Sequence, residues 1–466
     1  MNEPAGKPNI LFVFADQLQA FALGCMDNPL VLTPNLDALA ADGVLFRNAY
    51  SDSPVCTPYR GCLVTGRYPA QTGIRWNNDP IPPGERCIGH SLSDGGYATS
   101  YVGKWHLGAS GNIPIEADNR GGFEHFTGYQ CYNSFIDNVC FFDEAGECRR
   151  FEYHRTKATT DLALERMEQL KDRPFAQFVS YQNPHYPLEP SPEFAALYRN
   201  VEIPTRPNYQ PCEVYTPTGS PPSPKPKEAD PNYQRYGGSY EEFMRCYYAM
   251  VTQLDHEFGR LIRWLRNNDL YDKTLIIFSS DHGENACSHG LMNKGDWWEE
   301  SARVPLIVRA PGGLRGHSTE VPVSAGVDIW PTLVDFAGYA EEKELSGISW
   351  KALALDAGAT RTEPVFSEFP LINHEDHNFW VMVREGDWKL IVRQEGLEPL
   401  GLFNLREDPY ELSDLKDDSA QAERLSGLLD QIRGWRDRAP NFARRSANHE
   451  RWMKILEQIG GPKALK

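Results

Sequence analysis

The stretch Pro8-Asn9-Ile10-Leu11-Phe12-Val13-Phe14 (PNILFVF) decides the fold class of this chain. It is a continuous run of apolar, β-branched and aromatic residues, the pattern of a strand that is buried on both faces. A second run of this kind, TLIIFSS, covers residues 274–280. Strands buried on both faces occur in parallel sheets whose two sides are covered by helices, so the chain is predicted to be an α/β protein.

The segments around these two runs alternate between helical and strand patterns. Periodicity predicts helices at 36–42, 160–170 and 240–267, and strands at 44–49, 97–102, 175–181 and 304–308. This alternation predicts a large mixed, mostly parallel sheet sandwiched by helices. The proline-rich stretch 204–231 has no periodicity and is interpreted as a surface excursion.

The pattern changes after about residue 360. Short strand patterns at 380–383, 388–392 and 401–403 are separated by turns, and a helical pattern follows at 420–438. These patterns predict a smaller C-terminal antiparallel sheet plus helix. We therefore expect a main α/β domain over residues 1–360 and a C-terminal subdomain over residues 361–466.

The overall charge restricts the partners. The chain has 466 residues with 47 basic and 64 acidic side chains, for a net charge of −17. This charge argues against nucleic acid or an anionic membrane as a partner. An anionic substrate would need a local cluster of cations. Nothing in the sequence specifies an oligomer, although one is compatible with it.

The sequence also bears on location and on the cysteines. No apolar run approaches the ~18–20 residues of a membrane span. The early apolar run 10–15 is halted by Asp16 and lacks the features of a secretion signal, so a cytoplasmic protein is expected. A periplasmic or secreted protein is the alternative if a signal was removed. The ten cysteines form no C-x-x-C pair and are expected to be mostly free thiols, with individual disulfides left open.

Polar residues follow four of the predicted strands. They are Asp16-Gln17, Lys104-Trp105-His106, Asn183-Pro184-His185 and Asp281-His282-Gly283-Glu284. Taken singly, a carboxylate after a strand is usually a helix cap. However, ligands of open parallel sheets bind beyond the carboxyl ends of the strands. Four such groups at one edge are better explained by a catalytic cleft.

The residue types in this predicted cleft suit a divalent cation. Asp16, Asp281 and the Gln17 carbonyl offer hard oxygen ligands, and His282 adds one imidazole. Oxygen-rich sites favour calcium or magnesium over zinc.

Three cations complete the predicted cleft. Lys104, Lys294 and Arg60 are the local positive charges that an anionic substrate would need. Together with the cation site they predict a metal-assisted hydrolase of a sulfate or phosphate ester.

The pentapeptide Cys56-Thr57-Pro58-Tyr59-Arg60 suits the start of a helix, where proline is tolerated and the helix dipole is positive. A nucleophile at this position would face an anion held partly by backbone N–H groups. An unmodified thiol at Cys56, however, is a poor partner for a hard cation.

The C-x-P-x-R pattern of this pentapeptide resembles the maturation signature of the type I sulfatases, in which the cysteine is oxidised to formylglycine. Further matches run in order along the chain from residue 8 to about 415. They include Leu63-Val64-Thr65-Gly66-Arg67-Tyr68-Pro69, Gly103-Lys104-Trp105-His106-Leu107-Gly108, Asn183-Pro184-His185, Ser280-Asp281-His282-Gly283-Glu284 and Trp388-Lys389-Leu390. The resemblance implies the alkaline phosphatase/sulfatase fold.

The resemblance also implies a role for each site residue. Cys56, as formylglycine, would be hydrated to a diol that Arg60 positions and whose hydroxyl attacks sulfur. Asp16, Gln17, Cys56, Asp281 and His282 would hold Ca²⁺, with Mg²⁺ or Mn²⁺ as alternatives. Lys104 and Lys294 would neutralise the sulfate oxygens, His185 would protonate the leaving alcohol, and His106 would take the proton of the second hydroxyl. A formylglycine-generating enzyme is the implied maturation partner.

This sequence departs from the family pattern at one position. Many sulfatases have Asp-Asp where this chain has Asp16-Gln17. The amide removes one negative charge from the site, which makes Gln17 the ligand in doubt.

Two alternatives to a sulfatase stay open on sequence. A phosphonate monoester or phosphodiester hydrolase could use the same formylglycine and metal. A non-enzymatic, calcium-stabilised protein would keep the pocket without maturation.

The substrate alcohol is likewise open among sulfated sugars, choline-like esters and aryl sulfates. The candidates for lining the cleft are Trp76, Asn77, Asn78, Tyr186, Trp297 and the Asn373-His374 loop. The aromatic residues among them favour a carbohydrate or another small organic sulfate.

Overall fold

The PNILFVF strand lies in the middle of a large sheet. The computed structural model describes residues 7–212, 239–370 and 379–438. The strands of the large sheet are Asn9–Asp16 (β1), Val44–Tyr50 (β2), Ala98–Lys104 (β3), His125–Tyr129 (β4), Val139–Phe142 (β5), Cys148–Phe151 (β6), Phe175–Pro184 (β7), Thr274–Ser280 (β8), Arg303–Arg309 (β9), His317–Thr319 (β10) and Val323–Ser324 (β11). Their order is β10-β2-β9-β8-β1-β7-β3-β4-β5-β6, and β11 pairs with β2.

Strand direction agrees with the predicted mixed, mostly parallel sheet. β8, β1, β7, β3 and β4 run parallel to one another. β9 runs antiparallel to both of its neighbours, β8 and β2, and the β4-β5-β6 edge is also antiparallel.

Both faces of β1 are apolar, as its sequence predicted. Leu11, Val13 and Ala15 pack into one buried cluster, and Ile10, Phe12 and Phe14 pack into a second one. Because side chains alternate along a strand, these two clusters lie on opposite sides of the sheet.

Most of the helices pack on these two clusters. Their bounds are Pro34–Ala41 (α1), Cys56–Thr65 (α2), Pro69–Thr72 (α3), Ile88–Asp94 (α4), Arg155–Leu170 (α5), Pro192–Tyr198 (α6), Tyr240–Asn267 (α7), Glu299–Ala302 (α8), Ile329–Ala337 (α9), Lys351–Leu355 (α10) and Ala422–Asp437 (α11). The long helix α7 contributes Phe243, Tyr247, Met250, Leu254 and Phe258 to the first cluster. Their spacing of three or four residues is that of one helix face.

A second, four-stranded antiparallel sheet follows. Its strands are Val365–Pro370 (β12), Phe379–Glu385 (β13), Trp388–Arg393 (β14) and Pro399–Asn404 (β15), in sequence order. Helix α11 packs on it through Leu428, Ile432 and Trp435. The small antiparallel sheet with one helix is therefore present as predicted, whereas the boundary at residue 360 stays a prediction.

A buried ion-pair network joins the second sheet to the large one. The Lys389 ammonium on β14 lies 3.0 Å from a Glu299 oxygen on α8 and 2.7 Å from a Glu411 oxygen. All three side chains are buried. Since α8 directly precedes β9, this contact fixes the second sheet against the large sheet.

Cysteine pairing agrees in part with the prediction of free thiols. Cys140 pairs with Cys148 and Cys212 with Cys287, whereas six cysteines are free. Within residues 7–212, 239–370 and 379–438, no helix is long and apolar enough to cross a membrane. Of the proline-rich stretch 204–231, residues 213–231 lie outside the described part of the chain.

Candidate active site

The four polar strand ends predicted to form a cleft lie at one edge of the large sheet. β8, β1, β7 and β3 are consecutive neighbours and all parallel, so their carboxyl ends coincide. These ends carry Asp281-His282, Asp16-Gln17, Asn183-Pro184-His185 and Lys104-Trp105-His106 respectively. The prediction of a shared edge is confirmed.

Cys56 reaches this edge from helix α2. It is the first residue of the helix, and Val55 before it has extended backbone. The Cys56 sulfur lies 3.2 Å from Nε2 of His282, 3.6 Å from Oδ1 of Asp16 and 3.7 Å from Nζ of Lys104. The helix therefore begins with its nucleophile candidate beside the proposed metal ligands.

The surroundings of Cys56 disfavour its thiolate form. Burial, reinforced by the negative charge of Asp16, raises its pKa to about 12. The thiolate is the nucleophilic form of cysteine, so this shift disfavours attack by the unmodified residue. The environment is thus consistent with a residue that acts after oxidation.

Arg60 forms ion pairs with both aspartates of the site. One guanidinium nitrogen lies 3.0 Å from Oδ2 of Asp16 and 3.2 Å from Oδ2 of Asp281. The other donates to the Lys104 carbonyl and to the Ser180 hydroxyl. The structure shows Arg60 orienting the carboxylates, and its action on a diol stays a prediction.

The remaining carboxylate oxygens fit a metal. Oδ1 of Asp16 and Oδ1 of Asp281 lie 3.8 and 3.4 Å from Nε2 of His282. One ligand atom each of Asp16, Cys56, Asp281 and His282 lie within 4.8 Å of one another, and all four residues are buried. Two carboxylates and one imidazole whose ligand atoms lie this close together form a suitable donor set for a divalent cation.

Hydrogen bonds fix the tautomers of two histidines in this site. Nδ1 of His282 donates to the Gly283 carbonyl at 2.9 Å, and Nδ1 of His185 donates to the Tyr186 carbonyl at 2.6 Å. Each ring therefore keeps a lone pair on Nε2. The Nε2 of His185 lies 3.9 Å from Oδ1 of Asp16, so it faces the cluster.

The local charge differs from that of the whole protein. Three cations, Arg60, Lys104 and Lys294, lie close to the two aspartates and to the buried Glu284. Burial alone would raise the pKa of Asp16, but Lys104 and the other nearby cations hold it well below its usual range. Burial and the adjacent Asp16 raise the pKa of Asp281. A bound cation would favour the ionised form of both.

The structure gives the Gln17 oxygens other partners. Its φ is 67°, unusual for a residue with a Cβ. Its side-chain oxygen accepts from Nζ of Lys294, its amide nitrogen donates to Glu284, and its main-chain carbonyl accepts from the Tyr247 hydroxyl. Its role as a metal ligand therefore stays a prediction.

The contacts of Glu284, which support Gln17 and the loop of Lys294, were not predicted from the sequence. Glu284 is fully buried and also accepts from the backbone N–H groups of Ala286 and Asn293, which fixes the loop that carries Lys294. The one sequence signal was that Glu284 ends the Asp281-His282-Gly283-Glu284 motif.

The residues proposed to line the cleft differ in their surroundings. Trp76 stacks on Phe369 with ring centroids 5.4 Å apart, and Lys294 lies over the Tyr186 ring. Oδ1 of Asn78 lies within hydrogen-bond distance of Nε2 of His106. The Asn373-His374 loop lies outside the described residues.

Comparison with known proteins agrees with the motifs. The sulfatase family model matches residues 8–339, and the model described as N-sulphoglucosamine sulphohydrolase, C-terminal, matches residues 287–438. The choline-sulfatase of Rhizobium meliloti is 31% identical over 91% of this chain and 84% of its own length. The ulvan-active sulfatase of Formosa agariphila is 29% identical over 89% of this chain and 78% of its own length.

Solved structures share the fold. A protein solved with its substrate D-glucosamine-2-N,6-O-disulfate superposes with a TM-score of 0.80 at 23% identity, over 94% of this chain and all of that one. The phosphonate monoester hydrolase of Agrobacterium radiobacter superposes with a TM-score of 0.72 at 23% identity, over 93% of this chain and 96% of that one. The fold alone therefore does not choose between esters, but the family match and the sulfatase relatives do. The chain belongs to the sulfatase family and is a sulfuric ester hydrolase of the alkaline phosphatase superfamily.

Proposed function

We propose that the enzyme hydrolyses carbohydrate sulfate esters with a formylglycine made from Cys56 and with Ca²⁺ as its metal. The observation that carries this proposal is the buried cluster of Asp16, Cys56, Asp281 and His282 at the start of helix α2. With formylglycine in place of Cys56, three of these four residues would offer oxygen, which favours Ca²⁺ over zinc, with Mg²⁺ or Mn²⁺ as alternatives. A formylglycine-generating enzyme would supply the modification.

The metal, held by Asp16, Asp281, His282 and residue 56, would supply Lewis-acid stabilisation of the sulfate and of the attacking oxygen. Arg60 would keep one oxygen of each aspartate bound, so that the other oxygen stays directed at the metal.

The remaining side chains would bind the sulfate group or transfer protons during the reaction. Lys104 and Lys294 would bind the sulfate oxygens, and their positive charge would stabilise the transition state. His185, whose Nε2 faces the cluster, would protonate the leaving alcohol from its imidazolium form, in which Nε2 also carries a proton. His106 would take a proton from residue 56, after which sulfate leaves.

A saccharide is the substrate class best supported. The C-terminal model that matches this chain is named for an N-sulphoglucosamine sulphohydrolase, and a structural neighbour binds a sulfated glucosamine. In this chain the half-buried Trp76 and Tyr186 lie in the segments that carry Asn77-Asn78 and His185, and aromatic side chains are suited to contact sugar rings.

The cytoplasmic location predicted from the sequence stays a proposal. The disulfides Cys140–Cys148 and Cys212–Cys287 are typical of oxidising compartments, and they support the periplasmic or secreted alternative.

Matched substrates test the choice of ester. We expect kcat/KM for 4-nitrophenyl sulfate to exceed that for 4-nitrophenyl phenylphosphonate, because the two share a leaving group and differ only in the transferred centre. Sugar 6-O-, 4-O- and 2-O-sulfates and N-sulfates, together with choline sulfate, then identify the alcohol. A higher kcat/KM for the phosphonate would contradict the proposal and favour a phosphonate monoester hydrolase.

A further inference from the structure

His106 differs from the other two histidines of the site. It follows β3 with a φ of 56°, and only 4% of it is exposed. Its Nε2 lies 3.2 Å from Oδ1 of Asn78. Its Nδ1 is buried and has no hydrogen-bond partner in the described part of the protein. One ring nitrogen thus has a partner, and the other is buried without one.

The partner of Nε2 decides where the ring proton lies. An amide oxygen can only accept, so Nε2 must carry the proton and Nδ1 must carry the lone pair. Burial, and then Lys104 and Arg60, lower the pKa of His106 well below its usual range, so the ring is neutral and holds a single proton. The charges that act on it also include Asp16 and Lys294, the groups that surround Cys56.

Asn78 is itself held in place. The Ser110 hydroxyl donates to the same Oδ1 at 2.5 Å, a second polar contact that holds the amide group in place. The Asn78 backbone N–H donates to the Thr57 hydroxyl at 3.2 Å, and that hydroxyl donates to the His106 carbonyl. Asn78 has a φ of 70°, a conformation that asparagine tolerates better than most residues.

We propose that Asn78 is a positioning residue that fixes His106 as its Nε2–H tautomer, so that Nδ1 is the base for the release of sulfate. This inference rests on the proposed function of His106. In that step the O–H bond of the free hydroxyl on residue 56 breaks, and its proton moves to Nδ1. The electron pair of that O–H bond forms the C=O bond. The C–O bond to sulfate breaks, and sulfate leaves with the electron pair of this C–O bond. Water then takes the proton from Nδ1.

Two substitutions isolate the amide oxygen. Asn78→Gly keeps the left-handed backbone accessible but removes the acceptor, whereas Asn78→Asp keeps an acceptor oxygen at the same position. For Asn78→Gly we expect a burst, then steady-state turnover roughly 10- to 100-fold slower, the usual loss when a partner that orients a histidine is removed. A sulfated residue 56 should accumulate and be detected by mass spectrometry. Asn78→Asp should restore most of the release rate. Asn138→Gly, at an exposed asparagine that also has a positive φ (50°), is the control for a backbone effect.

The tautomer itself gives an independent readout. In protein labelled with ¹⁵N-histidine, the His106 resonances, assigned by their loss in His106→Gln, should show a protonated Nε2 and an unprotonated Nδ1. In Asn78→Gly this preference should weaken or reverse. A protonated Nδ1 in the wild type, or an unchanged tautomer in Asn78→Gly, would overturn the inference. If His106→Ala releases sulfate normally, the proposed role of His106 fails instead, and the nitrogen shifts still decide the role of Asn78.

Discussion

Replacing Asp281 by alanine is expected to remove the bound metal and the sulfatase activity together. Asp281 supplies one of the two buried carboxylates of the cluster, and its Oδ1 lies 3.4 Å from Nε2 of His282. The stabilisation that a metal gives to transition-state charge is worth several kcal/mol, and each ~1.4 kcal/mol is a factor of ten. We therefore expect kcat/KM to fall by at least ~10³-fold.

The measurement pairs metal content with kinetics. Elemental mass spectrometry should find about one Ca²⁺ per wild-type chain, as a single-ion site requires, and far less in Asp281→Ala. Asp272→Ala is the control, since Asp272 is a surface residue that pairs with Arg309. Chelation of the wild type should abolish activity, and Ca²⁺ should restore it better than Zn²⁺. Full activity in a metal-free sample would rule out the assigned role of both aspartates.

His185 and His106 are the two histidines of the site that are not proposed as metal ligands. Their alanine variants are expected to be impaired at different steps of the reaction. His185→Ala should slow the attack on sulfur by about 10²–10⁴-fold for esters of alcohols with a high pKa, the usual contribution of a general acid. An activated aryl sulfate should be nearly unaffected, because its leaving group needs no proton. His106→Ala should instead permit one turnover and then accumulate a sulfated residue 56, seen as a burst followed by a slow phase.

A leaving-group series measures this difference. The slope of log kcat/KM against leaving-group pKa should steepen in His185→Ala and stay unchanged in His106→Ala. Pre-steady-state kinetics with 4-nitrophenyl sulfate should show the burst in His106→Ala and not in His185→Ala. Equal slopes in the two variants, with no adduct in either, would refute the division of roles while leaving the family assignment intact.

Much of the fold was predictable because buried strands and helices have recognisable patterns of apolar residues in the sequence. The runs 8–14 and 274–280 are apolar throughout, and the strands found there pack on both faces. The amphipathic pattern of 240–267 gave the bounds of helix α7. The direction of β9 could not be predicted, since an apolar run reads the same for a parallel and for an antiparallel strand. Strands β5 and β6 were missed because they are four residues long, and β6 is largely exposed.

The site was predictable to the extent that it follows strand ends. Asp16, Asp281 and Lys104 all directly end or follow parallel strands, so topology alone brings them together. The contact between Asn78 and His106 could not be predicted, because it joins a loop after helix α3 to the turn after β3. The partners of Gln17 depend likewise on a long loop that returns from β8.

The mass of the Cys56 peptide tests the central claim most directly. Active protein, produced together with a formylglycine-generating enzyme, should yield a tryptic peptide in which the CH₂SH side chain of residue 56 is replaced by CHO, and activity should rise in proportion to the converted fraction. Protein from a host without that enzyme should carry the thiol and have little activity, while its fold is unchanged. Full sulfatase activity in protein whose Cys56 is entirely an unmodified thiol would contradict the account.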